Sequence, residues 1–191
     1  MASIDNYLDC QGCTTPIPQA SFDECNPEIL QAQISDLYIW NDGYPLTDWT
    51  NAAEWASRIS NSSSNLDAIR HLTVIGALAD PTHTEKKGSH QRRRFTPWNF
   101  AMTFDVDDNT DVNYDLARST GCGRSYRFAY STLGQKLYSN PGTNAGNLGI
   151  LGNLQMWEPI TNSEDDDVNL KGSLSWTDRF LPVRVDNPMA V

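Results

Sequence analysis

The residues with the clearest metal-binding chemistry are three cysteines near the start of the chain. Cys10 and Cys13 form a Cys-x-x-Cys pair, and Cys25 follows. A structural zinc ion takes four soft ligands, usually from two such pairs, whereas this segment holds one pair and no histidine. Cys122, far along the chain, would have to complete the set. We therefore expect free thiols and no cofactor, with zinc at Cys10, Cys13 and Cys25 as the alternative.

A second group of possible ligands is the stretch Asp105–Asp115, which is dense in Asp and Asn. A calcium-binding EF-hand loop needs Gly at its sixth position and Glu at its twelfth. Counted from Asp105 or from Asp107, neither residue is present. Asp, Asn and Thr are also the residues that cap a helix, and helix capping is the interpretation we favour for this stretch.

No arrangement of side chains in the sequence predicts a catalytic centre. The three histidines, His71, His83 and His90, stand in no order with Ser, Cys or Asp that indicates a nucleophile and its base. The short glycine runs match neither a phosphate-binding loop nor a dinucleotide-binding fingerprint. We therefore expect a protein that is not an enzyme.

Opposite charges are concentrated in two separate segments. The basic segment consists of Lys86, Lys87, Arg92, Arg93 and Arg94, and the acidic segment consists of Glu164, Asp165, Asp166 and Asp167. One interpretation of the basic segment is a solvated hairpin, with residues 85–89 at its tip and the arginines at the start of a strand. The other is a protruding loop that docks on an acidic surface. Because the acidic segment of another copy supplies such a surface, the two segments predict a head-to-tail contact between copies.

The elements that must position these segments are mainly strands. Trp98–Val106 is the clearest, because apolar residues alternate along it with small or polar ones, as in a strand with one face in water. Similar alternation elsewhere predicts a total of six or seven strands. The other predicted strands lie at 34–40, 69–78, 126–130, 137–138, 148–156 and 168–180.

Two short helices are predicted between the strands. The first spans Trp49–Ile59 and is capped by Thr47 or Asp48. The second includes Tyr114–Ala117 and is capped by one of the residues 107–110. Strands with one face in water favour antiparallel sheets over a parallel α/β sheet. We therefore predict a mainly β fold, an antiparallel β-sandwich or small barrel with one or two short helices.

The length of 191 residues suits one domain with a full hydrophobic core. Residues 1–32 show little periodicity and contain several prolines, which predicts an extended N-terminal arm. Residues 33–191 are predicted to form a single β-sandwich domain. Because an arm without its own core is often ordered only against a neighbour, we expect it to contact other subunits.

Charge and composition narrow the possible partners. The formal net charge is −10 and the isoelectric point is about 4.5, which argues against sequence-specific binding to nucleic acid. The same charge suits a surface past which DNA slides without sticking. The chain has no apolar run of membrane-spanning length, and its start does not resemble a secretory signal. Sparse cysteines are consistent with folding in a reducing cytoplasm.

Several segments resemble virion structural proteins of tailed bacteriophages, particularly those that infect Bacteroidetes. The segments that carry this resemblance are, in chain order, Pro45–Trp49, Ile69–Gly76, Asn113–Leu116, Gly134–Tyr138 and Gly172–Trp176. The resemblance covers roughly residues 35–185, and the order of elements is similar to that of tail-tube proteins.

The resemblance implies a structural role inside a virion. Tail-tube proteins form stacked rings in which the inner sheets of neighbouring subunits join, and arms and loops contact the next ring. The implied partners are copies of the same chain and other virion proteins, assembled in the host cytoplasm. An auxiliary capsid protein that decorates the head, or a neck-ring protein, would share the same profile and remains an alternative.

A further alternative is a β-sandwich module that binds a carbohydrate or a peptide. Such a module would present Trp98, Trp157 or Trp176 as an exposed platform. Alternation places Trp98 and Trp176 on the apolar faces of their strands, so we expect those two in the core. Trp157 breaks the pattern of its strand, which predicts that it is exposed.

Overall fold

The structure, a computed structural model, describes residues 30–61, 64–87, 93–106, 108–122, 125–140, 148–160 and 169–189. The strands are β1 (Ile34–Asn41), β2 (Arg70–Leu78), β3 (Glu85–Lys87), β4 (Arg93–Phe95), β5 (Trp98–Val106), β6 (Ser125–Thr132), β7 (Lys136–Ser139), β8 (Ile150–Trp157), β9 (Lys171–Asp178) and β10 (Val183–Asp186). The helices are α1 (Ala52–Ser60) and α2 (Asp111–Thr120). The predicted mainly β class with two short helices is confirmed. Within the described ranges, no helix is long and apolar enough to cross a membrane.

Six strands close into an antiparallel barrel. Their order is β1-β2-β5-β9-β8-β6, and β6 then pairs with β1 to complete the circle. β8 pairs with the first part of β6 and β7 pairs with the later part, so β7 and β10 extend away from the barrel as a small branch. Of the two predicted forms, the structure has the barrel. The arm predicted for residues 1–32 lies outside the described residues except for residues 30–32.

Alternating side chains fill the inside of the barrel. Along β5, Phe100, Met102, Phe104 and Val106 are buried, while the residues between them face outward. Every barrel strand contributes buried apolar residues to the same core. A small barrel filled in this way is a packed interior rather than a pore, and its burial of apolar surface stabilises the fold.

Two inward positions are glycines because a neighbouring ring occupies the space of a side chain. A Cβ atom at Gly172 would lie 2.2 Å from Phe104 Cζ, and one at Gly152 would lie 2.8 Å from Phe128 Cε1. These glycines stand where the apolar alternation of β9 and β8 would otherwise place a large residue. They allow the two phenylalanine rings to pack against the strand backbone.

β1 is buried on both faces, because α1 covers the side that points away from the barrel. Tyr38 and Trp40 lie beneath Trp55 of α1, with ring centroids 5.2 Å and 6.0 Å from its ring. The other buried members of this second apolar cluster are Leu46, Ile69, Ala129 and Leu137. β1 therefore joins two cores, one inside the barrel and one under the helix.

The predicted cap of α1 is wrong. The helix begins at Ala52, and Asn51 is the capping residue, whose side chain accepts a backbone N–H of the first turn at 3.0 Å. Thr47 and Asp48 instead donate their backbone N–H groups to the carboxylate of Glu54, at 2.7 Å and 2.9 Å. The carboxylate thus binds the preceding loop, which forms a turn closed by the backbone hydrogen bond from Asn51 to Asp48, and the helix starts later than predicted.

The capping prediction for Asp105–Asp115 is confirmed. Thr110 is the capping residue of α2, and its hydroxyl accepts the backbone N–H of Asn113 at 3.4 Å. The side chain of Asn113 donates to the backbone oxygen of Asp108 at 2.7 Å. These hydrogen bonds account for the polar residues at the junction between β5 and α2.

The strand boundaries near the charged segments differ partly from the prediction. Glu85–Lys87 forms β3, so these residues are part of a strand and not of the hairpin tip. The prediction that the arginines begin a strand is confirmed by β4, which starts at Arg93. β9 ends at Asp178 rather than at Phe180, because the chain leaves the sheet there and Phe180 is exposed.

Candidate functional site

The barrel has two ends with different surroundings. At one end, which we call the hairpin end, Trp98 of β5 pairs with Asp178 of β9. The ladder of β2 and β5 continues beyond this point through the bridge between Thr82 and Asn99 into the β3–β4 hairpin. At the opposite end, which we call the acidic end, Lys171 of β9 lies between β5 and β8. The basic and acidic segments therefore leave the barrel at opposite ends.

The β3–β4 hairpin carries four residues of the basic segment. Its backbone register pairs Lys86 with Arg94 and Lys87 with Arg93. Four basic residues therefore belong to one short hairpin. Arg92, the remaining member of the basic segment, lies outside the described residues.

The acidic end carries more negative charge than the sequence segment alone. The acidic segment, Glu164–Asp167, lies outside the described residues, between Ile160 and Asn169. Beside its base the structure places Asp108 and Asp111 at the start of α2. Asn109 Nδ2 donates to Glu158 Oε1 at 3.3 Å, which ties the chain after β8 to the N-terminus of α2. The sequence did not predict this grouping, because its members are far apart along the chain.

Each end also exposes large apolar side chains. At the acidic end, Ile160 is 80% exposed and Val112 of α2 is 77% exposed. At the hairpin end, Phe180 is 67% exposed and Leu181 is 72% exposed. Apolar side chains grouped next to charged ones are typical of surfaces that contact another protein.

A polar cluster lies at the seam where β1 closes the barrel. Asp36 stands at an irregularity in the register of β1 with both β2 and β6. One of its carboxylate oxygens accepts hydroxyl hydrogen bonds from Ser35 at 2.6 Å and from Ser131 at 2.8 Å. The other oxygen lies 2.8 Å from His71 Nε2, and the ring of Tyr38 stacks on that imidazole at 4.9 Å. The cluster thus links β1, β2 and β6.

The surroundings of Asp36 favour its ionised form. Burial on its own would raise the pKa of the carboxyl, but the hydrogen bonds from Ser35, His71 and Ser131 outweigh burial and lower the pKa. Burial, with the nearby charge of Asp36, raises the pKa of the Tyr38 phenol to about 12. The cluster therefore holds a carboxylate and a neutral phenol at neutral pH.

The cluster has the residue types of a hydrolase triad without its connections. In a triad a serine hydroxyl donates to the histidine, and the carboxylate orients that histidine from the other side. Here both Ser35 and Ser131 donate to Asp36, which leaves His71 without a nucleophile among the described residues. The arrangement can hold strands together, and it provides no activated nucleophile.

The tryptophans lie where the sequence predicted. Trp176 is 5% exposed and stacks on Phe100 inside the barrel, and Trp98 packs against the same core. Trp157, at the acidic end of β8, is 46% exposed. A single exposed indole is a weaker indication of carbohydrate binding than a platform of several rings.

The cysteines for which zinc was the alternative to free thiols, Cys10, Cys13 and Cys25, all lie outside the described residues. Cys122, the one cysteine among the described residues, is an exposed free thiol just after α2. In the part of the chain that the structure describes, no three His, Cys, Asp or Glu side chains come close enough together to hold a metal ion.

Comparison with models of protein families, with curated proteins and with solved structures finds no match to this chain.

Proposed function

We propose that this protein is a structural subunit of a bacteriophage virion that assembles with copies of itself. Tail-tube subunits are the form that the sequence resemblance implies, and a head-to-tail contact between copies is the interaction that we assign to the two ends of the barrel. The proposal includes other virion proteins as further partners and involves no catalytic step.

The observation that carries the proposal is the placement of opposite charges at opposite ends. The basic hairpin leaves one end, whereas Asp108, Asp111 and Glu158 surround the base of the acidic segment at the other. When one copy follows another in the same orientation, the hairpin of one meets the acidic end of the next. A contact between two different surfaces repeats and so builds a ring, a column or a tube.

The exposed apolar side chains support the same contact. Phe180 at the hairpin end would meet Ile160 and Val112 at the acidic end of the next copy. Burying such side chains adds a favourable term that salt does not screen, while the charges select the partner and its orientation.

One feature of the fold distinguishes this protein from the tube subunits that it resembles. The resemblance implies that the sheets of neighbouring subunits join, but here the six barrel strands pair with one another in a closed circle. Joining of sheets would therefore have to use strands outside the closed barrel, such as β10, whose outer edge has no partner strand among the described residues. A free edge of this kind also suits a capsid protein, so an auxiliary capsid role is the second candidate.

Light scattering of the full-length protein over a range of concentrations, with negative-stain electron microscopy of the same samples, tests the proposal. We expect rings, columns or tubes at high concentration. Lys87→Glu should abolish them, because it places a negative charge where the acidic end docks. Adding Asp166→Lys to the same chain should restore them by exchanging the two charges.

Arg118→Glu is the matched control. It makes the same change in charge on the side of α2, where the side chain is 72% exposed, and it should leave assembly unaffected. Assembly of the Lys87→Glu protein at the wild-type concentration would contradict the head-to-tail contact. A wild-type protein that forms no ring, column or tube at any concentration would contradict the proposed function itself.

A further inference from the structure

β10 ends the β7–β10 branch and leaves one edge open. It pairs with β7 on one side, and no other strand of the described residues pairs with its far side. The free edge of a strand presents backbone donors and acceptors that favour addition of another strand. β10 is bounded by Pro182 and Pro188, which lack a backbone N–H group. The pairing surface is therefore short and has defined limits.

The hydrogen bonding at the end of β10 shows which residues face the open edge. The backbone N–H of Asn187 donates to the backbone oxygen of Gln135 at 2.8 Å, so Asn187 turns toward β7. In an antiparallel ladder, successive residues turn their backbone groups alternately toward and away from the neighbouring strand. Val185 and Val183 therefore also bond toward β7, while Arg184 and Asp186 present their backbone groups to the open edge.

Only one symmetric register satisfies these groups and pairs opposite charges. In an antiparallel pair centred on Val185, Arg184 of each copy lies opposite Asp186 of the other, and their backbones form four hydrogen bonds. Centring the pair on Arg184 would place like charges opposite and would set Asp186 against Pro182. Centring it on Asp186 would place the two Asp186 residues opposite each other and would set Arg184 against Pro188. The charges and the prolines thus select the same alignment.

We propose that β10 is a two-fold contact site whose partner is a second copy of this chain. The two β10 strands pair antiparallel about Val185, with two Arg184–Asp186 pairs across the contact, so that the branches of two copies join into one sheet. Asp186 already lies 2.6 Å from Lys136, so the pairing links Lys136, Asp186 and the second copy's Arg184 into a charged network.

Side chains beside the edge complement the pairing. Leu181 and Met189 stand at equal distances on either side of Val185, so the Leu181 of one copy would lie near the Met189 of the other. Leu181 is mostly exposed in the single copy. Val183 is also exposed, and it would lie opposite the Asn187 of the second copy. The pairing would therefore cover apolar surface as well as backbone groups.

Charge exchange tests this register specifically. Arg184→Asp gives a strand with two negative positions, and Asp186→Arg gives a strand with two positive positions. In sedimentation analysis at low salt, with Lys87→Glu present in every chain to remove the end-to-end contact, we expect the protein with an unchanged β10 to form dimers. Each variant alone should dimerise roughly tenfold or more weakly, because both cross-strand pairs become repulsive.

A mixture of the two variants decides the outcome. Each Asp of one copy then faces an Arg of the other, so the mixture should form dimers that neither variant forms alone. Arg118→Asp, with the same charge change on α2, should dimerise like the protein with an unchanged β10. A monomeric protein with an unchanged β10, or a mixture that stays monomeric, would overturn the proposal.

The result is separable from the proposed function. Lys87→Glu should abolish rings and tubes and leave the β10 dimer intact, whereas Arg184→Asp should abolish the dimer. If Lys87→Glu abolished both contacts and Arg184→Asp retained both, one surface would make both contacts. That result would overturn the β10 site. A two-fold contact inverts one copy relative to the other, so a β10 contact retained in the assembly would favour a capsid lattice over a tube with all rings in the same direction.

Discussion

At the scale of single residues, the side chain of Asp36 stabilises the junction of three strands. Its carboxylate accepts hydrogen bonds from two hydroxyls and an imidazole that belong to three neighbouring strands. A charged acceptor makes such bonds stronger than those between neutral groups. The residue therefore fastens the seam of the barrel at the point where the register of β1 is irregular.

This arrangement predicts a loss of stability in acid. The pKa of Asp36 is lower in the folded protein than the ordinary value of 3.8, so above that pH both folded and unfolded chains carry the charge. As the pH falls, the unfolded chain takes up the proton first, and the free energy of unfolding decreases until the pH passes the folded pKa. Urea unfolding of the wild-type protein between pH 2 and about 6 should show this decrease.

Asp36→Asn removes the titrating group and serves as the comparison. Its free energy of unfolding should be lower than that of the wild-type protein at neutral pH, and the difference should shrink below the ordinary Asp pKa. Ser131→Ala, which removes one of the hydrogen bonds to the carboxylate, should give an intermediate pH dependence. A difference between wild type and Asp36→Asn that is constant with pH would contradict this role for the carboxylate.

At the scale of elements, α1 is held in place by one buried charge. Arg58 is 7% exposed and donates to three backbone oxygens, those of Tyr44, Pro45 and Asp67, at 3.1 Å or less. Burial lowers the pKa of this guanidinium, with the charges of Asp67 and Glu54 opposing the effect. The side chain therefore joins the helix to the loops on both sides of it.

Arg58→Met should destabilise the protein by about 1–3 kcal/mol, because it keeps most of the apolar volume and removes the buried donor of three hydrogen bonds to part-buried backbone carbonyl groups. Urea unfolding followed by circular dichroism would measure the change. Arg118→Met is the matched control. That residue is mostly exposed and lies 3.9 Å from Asp115, so its replacement should change the stability by about 0.5 kcal/mol or less.

Elements with a strong local signal could be predicted from the sequence, and elements that depend on distant partners could not. The bounds of β5 agree with the alternation from Trp98 to Val106, because one of its faces is in the core and the other in water. β10 was not predicted, since Val183–Asp186 is too short to show a period. The start of α1 was placed too early because Glu54, a residue inside the helix, binds the loop before it.

The same distinction applies to the candidate sites. The sequence indicated the basic and acidic segments, because the acidic one is a continuous run and the basic one consists of two short runs close together. It could not indicate that they leave opposite ends of the barrel, since this depends on the pairing of β5 with β9. The polar cluster at Asp36 was also missed. Its partners His71 and Ser131 come next to it only when β1 pairs on both sides.

At the scale of the whole molecule, the two proposed contacts should respond differently to salt. Contacts between exposed charges weaken as the screening length falls from about 10 Å at 0.1 M salt to about 3 Å at 1 M. Backbone hydrogen bonds between paired strands depend less on ionic strength. We therefore expect light scattering to show large assemblies at low salt that dissociate into dimers, and not into monomers, at high salt. Dissociation directly to monomers would contradict two independent contacts.

The pairing of β1 with β6 also determines the order in which this chain can fold. Leu37 of β1 pairs with Tyr130 of β6, so β1 can pair with β6 only after the residues between them have been synthesised. Contacts between distant segments form slowly, because the entropy of the intervening loop is lost before the contact contributes any stability. During synthesis, α1 and β2 can cover part of β1 early, but its pairing with β6 is not complete until residue 132 is available. Closure of the barrel is therefore expected to be the slow step of folding.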